Sequence, residues 1–229
     1  VDLVPPLKTA CRNKDDLCTI WALDGECESN PRYMKMECAP ACFSCHYLSI
    51  EGRCPIDPDA PNVWGPGDLD TLFTKLTNEP YLSNHDVRIL SSPENDGAPW
   101  VITMENVLSE EEANTLIELG AQDGYQRSGE VGPLKVDGSH EKVVNDGRTS
   151  HNSWCNSDTK CYQSEVTRRV LARLTNITGI PETNSESLQL LRYEPGQYYR
   201  THHDYIEHHI NRQPGVRIMT LFLYLTDVV

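Results

Sequence analysis

The sequence predicts an α+β protein in which a β-sheet core with helical support follows a small, disulfide-rich N-terminal module. Seven of the nine cysteines lie within the first 54 residues, which indicates the small module. Apolar residues with helical periodicity follow it, and three segments of strand character come last. Helices followed by consecutive strands favour a β-sheet that packs against helices.

Length and charge limit the possible functions. The chain has 229 residues, enough for one medium domain and a small one, with 20 basic and 34 acidic residues and a formal charge of −14. Such a charge repels nucleic acid and anionic membranes, so we expect no nucleic-acid partner. No apolar run approaches the roughly 20 residues that span a bilayer, so we expect no membrane span.

Six cysteines in residues 11–45 are expected to form three disulfides. Cys42-x2-Cys45 also has the spacing of zinc ligands, but six thiolates exceed the four that a zinc ion takes. Six cysteines allow fifteen pairings, and their spacing does not choose among them. Disulfides of this density are typical of an oxidising compartment, and Cys54 is left over.

The same segment has a specific set of residues at fixed spacing: Cys11-x6-Cys18-x2-Trp21, Gly25-x-Cys27, Asn30-Pro31-x-Tyr33-Met34, Cys38, Cys42 and Cys45. This pattern resembles the ShK-toxin-like (ShKT) domain. The resemblance implies the pairs Cys11–Cys45, Cys18–Cys38 and Cys27–Cys42. Channel-blocking members of the family use a Lys-Tyr pair, whereas here Lys35 is separated from Tyr33. We therefore expect an accessory role in folding, localisation or substrate docking.

Residues 46–67 are rich in Pro, Gly and Asp and are predicted to be a linker. Residues 68–78 carry apolar residues on one helical face, and 87–90 and 100–104 are predicted strands. A helix is predicted from Ser109, its N-cap, through Glu112, which completes a capping box, to Leu119, with Gly120 as its end.

Residues 122–160 are polar and are predicted to form a long loop, in which Cys155 and Cys161 could close a small disulfide ring. A second helix is predicted over 163–176 and is stopped by Gly179 and Pro181. Asn176 begins an N-glycosylation acceptor triplet, Asn-Ile-Thr.

Three strands are predicted at Ser187–Tyr193, Gln197–Tyr205 and Val216–Leu225. The last is apolar at both parities, so both of its faces are expected to be covered. In an extended strand, His202 and Asp204 project to one face. One imidazole and one carboxylate are two of the three ligands of a 2-His-1-carboxylate iron site; a surface His–Asp pair is the alternative.

The wider context of this pair is an ordered series of motifs: Arg148-Thr149-Ser150, Asn184-Ser-Glu-Ser-Leu-Gln189, Tyr193-Glu194, Gly196-Gln197-x-Tyr199-x2-His202-x-Asp204-Tyr205 and Leu223-Tyr224-Leu225-Thr226-Asp227. This series resembles a prolyl 4-hydroxylase catalytic domain of the plant and algal type. The resemblance implies a double-stranded β-helix, or jelly-roll, core within residues 68–229. It also implies iron binding by His202 and Asp204, 2-oxoglutarate contacts from Tyr193 and Tyr224, and a substrate contact from Arg148.

The implied activity is hydroxylation of peptidyl proline to 4-hydroxyproline, with Fe(II), 2-oxoglutarate and L-ascorbate, on a proline-containing polypeptide. The implied location is the endoplasmic reticulum lumen, the secretory pathway or the extracellular space. Two alternatives stay open: a hydroxylase of another residue such as lysine, and a non-catalytic ShKT-containing binding protein on a truncated dioxygenase scaffold.

The resemblance also requires a second iron-binding histidine several tens of residues beyond Asp227, and shortly afterwards a Lys or Arg for 2-oxoglutarate. The sequence stops at Val229. We therefore expect it to be a fragment of a longer protein, inactive by itself; a naturally shortened protein is the lesser alternative.

Overall fold

The structure, a computed structural model, describes residues 5–135 and 140–227. Its helices are α1 Pro5–Ala10, α2 Cys18–Leu23, α3 Glu26–Ser29, α4 Pro31–Glu37, α5 Ile50–Arg53, α6 Asp68–Leu76, α7 Tyr81–His85, α8 Pro93–Asp96, α9 Glu110–Asp123, α10 Lys160–Gln163 and α11 Glu165–Thr178. Its strands are β1 Arg88–Ser91, β2 Val101–Thr103, β3 Gln126–Arg127, β4 Glu130–Leu134, β5 His140–Val143, β6 His151–Trp154 and β7 Gln189–Arg192. Short 3-10 helices cover Cys45–Leu48, Glu182–Asn184 and Glu207–Asn211.

The described chain divides into two compact units. The first unit holds residues 5–59, 129–135, 140–148 and 200–219, and the second holds 60–128, 149–199 and 220–227. The strands pair in antiparallel fashion as β1–β2, β3–β6–β7 and β4–β5. The mixed helix and strand composition agrees with the predicted class, while the jelly-roll core stays a prediction.

The N-terminal module, residues 11–45, is organised around its disulfides. These are Cys11–Cys45, Cys18–Cys38 and Cys27–Cys42, the pairs that the ShKT resemblance implies. Cys18 and Cys38 are completely buried together with Met34, and all six sulfurs are in disulfides, so the zinc alternative does not hold. Beyond the module, the 3-10 helix at Cys45–Leu48 and helix α5 extend into the predicted linker.

Helix α6 lies where the apolar periodicity predicts a helix. It buries Leu72 and Leu76, while Phe73 stacks on Trp100 with ring centroids 5.4 Å apart. The predicted strands near 87–90 and 100–104 are β1 and β2, which pair through Ile89 and Ile102.

Helix α9 begins as predicted but ends later. The Ser109 hydroxyl accepts a hydrogen bond from the Glu112 N–H, and the Glu112 carboxylate accepts one from the Ser109 N–H, which completes the capping box. The prediction that Gly120 ends the helix is wrong, because the helix continues to Asp123. Gly120 instead permits close packing: a Cβ there would lie 2.6 Å from the Tyr125 hydroxyl and 2.8 Å from Leu190 Cδ1.

The predicted loop over 122–160 is also wrong, apart from 136–139, which lie outside the described residues. It contains β3, β4, β5 and β6, and β6 pairs with the distant β7 from His151–Arg192 to Trp154–Gln189. Strand formation here depends on a partner that is remote in sequence, and polar segments show no local alternation that would reveal it. The Cys155–Cys161 disulfide is present and packs in the apolar core with Leu116 and Leu190.

Two predicted strands are absent from the described residues, at 197–205 and 216–225. Ile218, Phe222 and Tyr224 are exposed, so the expected burial of both faces is wrong as well. An apolar pattern favours extended backbone, but a strand also needs a neighbour that accepts and donates the ladder hydrogen bonds. Within the described residues, 197–205 has one isolated bridge residue, Tyr199, flanked by backbone hydrogen bonds at Tyr198 and Arg200, and 216–225 has no strand residue.

Candidate metal site and its surroundings

The candidate metal ligands lie together in the first unit. His202 Nε2 and Asp204 Oδ1 are 3.5 Å apart, and the two side chains are 38 and 39% exposed. The other ring nitrogen, Nδ1, is 2.9 Å from the Arg200 carbonyl oxygen. The pair thus forms without the strand that the sequence predicts, because two residues two apart can also approach across an irregular backbone turn.

The geometry of this pair fits a divalent metal. Metal–nitrogen and metal–oxygen bonds are about 2.0–2.2 Å long, so one ion can contact two donors separated by 3.5 Å. A neutral imidazole and a carboxylate are two members of the 2-His-1-carboxylate set. Within residues 5–135 and 140–227, no group of three His, Cys, Asp or Glu side chains could hold a metal ion. Among the described residues, His202 and Asp204 are the pair that the sequence predicts as ligands.

Arg148, the predicted substrate contact, also lies in the first unit. Its side chain is largely buried, and its Nη1 is 3.4 Å from the Gly129 carbonyl oxygen. A guanidinium that already contacts a backbone carbonyl has a smaller share of its five donors available to a peptide.

The two residues after Arg148 belong to the second unit and bond within it. The Thr149 N–H donates to the Tyr198 carbonyl, and the Thr149 hydroxyl accepts from the Tyr198 N–H at 2.7 Å. Ser150 is completely buried, and its hydroxyl lies 3.1 Å from that of Ser128. Each residue thus has a structural bond that accounts for its polar side chain.

The two predicted 2-oxoglutarate contacts, Tyr193 and Tyr224, are both exposed residues of the second unit. Tyr224 makes an edge-to-face contact with Phe222, with centroids 5.0 Å apart. Leu225, its neighbour, packs against the core around Leu116.

The carboxyl group with the strongest pKa shift lies on helix α9. Arg173 binds Glu112 through Nη1 and Nη2, at 2.6 and 2.9 Å, and the Glu112 side chain is 8% exposed. The hydrogen bonds from Arg173 lower the Glu112 pKa to about 2. In the same region, burial raises the pKa of Tyr125. Both groups belong to the second unit.

Two further predicted features concern single residues. Cys54 is exposed and is the one free thiol within the described part of the chain. Asn176 is exposed on the last turn of α11, while the Thr178 hydroxyl of the same triplet donates to the Leu174 carbonyl.

Sequence reasoning missed Glu130 and Arg200. Arg200 Nη2 lies 3.0 Å from Glu130 Oε2, across 70 residues of sequence. Arg200 stands two residues before His202, yet no motif connects it to an acid so far away. Only the folded chain shows that the metal-site segment has this anchor.

Comparisons with known proteins identify relatives in Arabidopsis thaliana. Probable prolyl 4-hydroxylase 8 is 36% identical over 131 residues, which are 57% of this chain and 42% of the relative. Probable prolyl 4-hydroxylase 7 is 34% identical over 57% of this chain and 39% of the relative, and prolyl 4-hydroxylase 1 is 32% identical over 58% and 44%. No family profile matches the chain. No solved structure matches it either.

The matched region spans about two fifths of the length of these relatives. No helix among the described residues combines the length and the apolar character needed to cross a membrane. The four disulfides are typical of an oxidising compartment. The identity of 32–36% over 57–58% of the chain shows that more than half of this chain is homologous to part of the plant prolyl 4-hydroxylases.

Proposed function

We propose that this chain forms part of an Fe(II)- and 2-oxoglutarate-dependent enzyme that converts peptidyl proline to 4-hydroxyproline. The observation that carries the proposal is the identity of 32–36% to plant prolyl 4-hydroxylases over 131–133 residues. The donor pair of His202 and Asp204 supports it, because its chemistry suits Fe(II).

Within this proposal, residues 68–229 belong to the catalytic domain and have a jelly-roll core. His202 and Asp204 hold the metal, Tyr193 and Tyr224 contact 2-oxoglutarate, and Arg148 contacts the peptide backbone. When bound, Fe(II) supplies the chemistry that couples oxidation of 2-oxoglutarate to hydroxylation of proline. The protein's part is to set the ligand geometry, orient the peptide and exclude competing reactions.

The reaction consumes 2-oxoglutarate, O2 and a prolyl residue and yields succinate, CO2 and 4-hydroxyproline. L-ascorbate restores iron that has been oxidised without hydroxylating a substrate. The ShKT-like module, residues 11–45, serves as an accessory unit in folding, localisation or substrate docking, and 46–67 link it to the catalytic domain.

The proposed setting is the endoplasmic reticulum lumen or the secretory pathway, since the disulfides need an oxidising compartment. In that setting Asn176 is an exposed candidate for glycosylation. A mass decrease after treatment with an N-glycosidase, lost in Asn176→Gln, would support this assignment.

The activity test uses the complete gene product that contains this chain, with Fe(II), 2-oxoglutarate, ascorbate and a panel of proline-rich and lysine-containing peptides. We expect succinate formation that depends on the proline peptides. His202→Ala should lower turnover by about 100-fold or more, since it removes a metal ligand. His203→Ala is the matched control, because the neighbouring ring instead has its Nδ1 near the Tyr205 carbonyl and should retain turnover.

Two results would overturn the proposal. Succinate formation with lysine peptides alone would assign the enzyme to another residue. No peptide-dependent succinate in the complete protein would favour the non-catalytic binding protein.

A further inference from the structure

We infer that Glu130 and Arg200 are positioning residues that orient the His202 ring for metal binding. This inference rests on the proposed function, because it assigns the ring's Nε2 to a metal ion. All of the residues that carry it lie in the first unit.

Arg200 is held from both its side chain and its backbone. Its Nη2 lies 3.0 Å from Glu130 Oε2, and its backbone N–H donates to the Gly147 carbonyl at 2.8 Å. The Glu130 side chain is 18% exposed and that of Arg200 is 61% exposed, so the acid is the fixed partner. The pair thus ties residue 200 to the end of the β4–β5 hairpin.

Asn145 and Gly147 complete this arrangement. Asn145 Nδ2 donates to Glu130 Oε2 at 2.6 Å, and Asn145 Oδ1 accepts from the Gly147 N–H at 2.7 Å. A Cβ on residue 147 would lie 2.8 Å from Arg200 Nε and 2.9 Å from Glu130 Oε1, so both side chains pack closely against Gly147. The four residues form one hydrogen-bonded set, which fixes the backbone two residues before His202.

The Arg200 carbonyl sets the tautomer of the His202 ring. A carbonyl oxygen only accepts hydrogen bonds, so the 2.9 Å contact to the Arg200 carbonyl requires the proton on Nδ1. Nε2 then faces Asp204 Oδ1 at 3.5 Å. With the proton on Nδ1, the Nε2 lone pair lies on the side of Asp204, so a metal ion between the two atoms would bind a lone pair of each. Metal-bound histidines commonly have their other ring nitrogen fixed in this way.

The first measurement tests the tautomer without metal. Nitrogen-15 NMR of the histidine rings in the whole chain distinguishes a proton on Nδ1 from a proton on Nε2. We expect His202 to carry its proton on Nδ1. Glu130→Gln and Arg200→Gln should shift it toward a mixture of tautomers, whereas Arg200→Lys, which keeps the charge, should retain the Nδ1 proton.

Glu37→Gln is the matched control, since Glu37 pairs with Lys14 at 3.0 Å in the same unit and lies outside this set. It should leave the His202 signals unchanged. If Glu130→Gln fails to fold, Arg200→Gln still decides, because its side chain is mostly exposed. A wild-type ring protonated on Nε2, or signals unaffected by both variants, would overturn the inference.

The second experiment measures the affinity of the complete gene product for zinc by calorimetry. We expect about tenfold weaker binding in Arg200→Gln, the lower end of the usual effect of removing such a supporting group, and unchanged binding in Glu37→Gln. Equal zinc affinity in wild type and Arg200→Gln would overturn the inference, and prolyl turnover in the same protein would leave the proposed function intact. If the His202 tautomer depends on Glu130 but the complete protein shows no prolyl turnover, the positioning role holds and the proposed function alone is overturned.

Discussion

The N-terminal module and the α9–α11 layer of the second unit are stabilised in opposite ways. The module has three disulfides within 11–45, and residues such as Leu23 and Phe43 are 83 and 91% exposed. In the α9–α11 layer, Leu116 and Val170 are buried and an ion pair joins Glu112 of α9 to Arg173 of α11. A segment too short to bury much apolar surface uses covalent links, whereas longer amphipathic helices use packing. The two regions should therefore respond to different perturbations.

The largest expected effect is that of breaking the module's disulfides. Cys18→Ala combined with Cys38→Ala removes a disulfide whose two residues are completely buried and 20 positions apart. We expect a loss of about 3 kcal/mol in the module's free energy of unfolding. Limited proteolysis with mass spectrometry on the whole chain should show rapid cleavage within 11–45 and continued protection of α9 and α11.

Cys54→Ala is the control for this comparison, because it removes the free thiol and should leave the cleavage pattern unchanged. Equal loss of protection in the module and in α9–α11 would show that the two regions do not differ in this way.

A smaller effect is expected at the ion pair. Glu112→Gln removes a charge that Arg173 binds through two hydrogen bonds and leaves that arginine without this anionic partner, although its Nη1 still donates to the Val107 carbonyl. Because the Arg173 side chain is 36% exposed, we expect about 2 kcal/mol rather than the full cost of a buried pair. Glu111→Gln, on the exposed side of the same turn, is the matched control in urea denaturation.

The Glu112–Arg173 pair makes the free energy of unfolding depend on pH, and the lowered Glu112 pKa gives the sign. The folded Glu112 has a pKa of about 2, below the ordinary value of about 4.3 for an unfolded chain. The contribution of the Glu112 carboxylate to the free energy of unfolding is therefore complete above about pH 4.3 and is lost as the pH falls through about 2. Wild type and Glu112→Gln should differ at pH 7 and converge toward pH 2. A difference that stays constant down to pH 2 would contradict this assignment.

The smallest effect concerns Gly120. In an open helix, Gly→Ala stabilises by up to about 1 kcal/mol. Here the new methyl group meets the Tyr125 hydroxyl and Leu190, so we expect Gly120→Ala to destabilise by about 1 kcal/mol. Thermal unfolding of Gly120→Ala, Tyr125→Phe and the double variant should show partial rescue in the double variant. Stabilisation by the single change would mean that the contact does not constrain the site.

The sequence predicted the elements whose signals are local. The capping box of Ser109 and Glu112, the apolar face of α6 and the glycine after α11 each depend on a few neighbouring residues. The strands of 122–160 were missed because β6 pairs with β7, some forty residues later, and its polar sequence does not reveal that partner. The strands predicted at 197–205 and 216–225 are absent from the described residues because neither segment joins one of the sheets there.

The sequence by itself determined the donor types of the candidate site, since His202 and Asp204 supply an imidazole and a carboxyl group wherever the backbone places them. It also determined the cysteine-rich module, because six closely spaced thiols favour covalent links. Only the tertiary structure decided that Arg200 is anchored to Glu130 and that its carbonyl holds the His202 ring. The physical reason is the range of the interactions: residue chemistry and helix caps act over a few positions, whereas strand pairing and the Glu130–Arg200 contact join residues that only folding brings together.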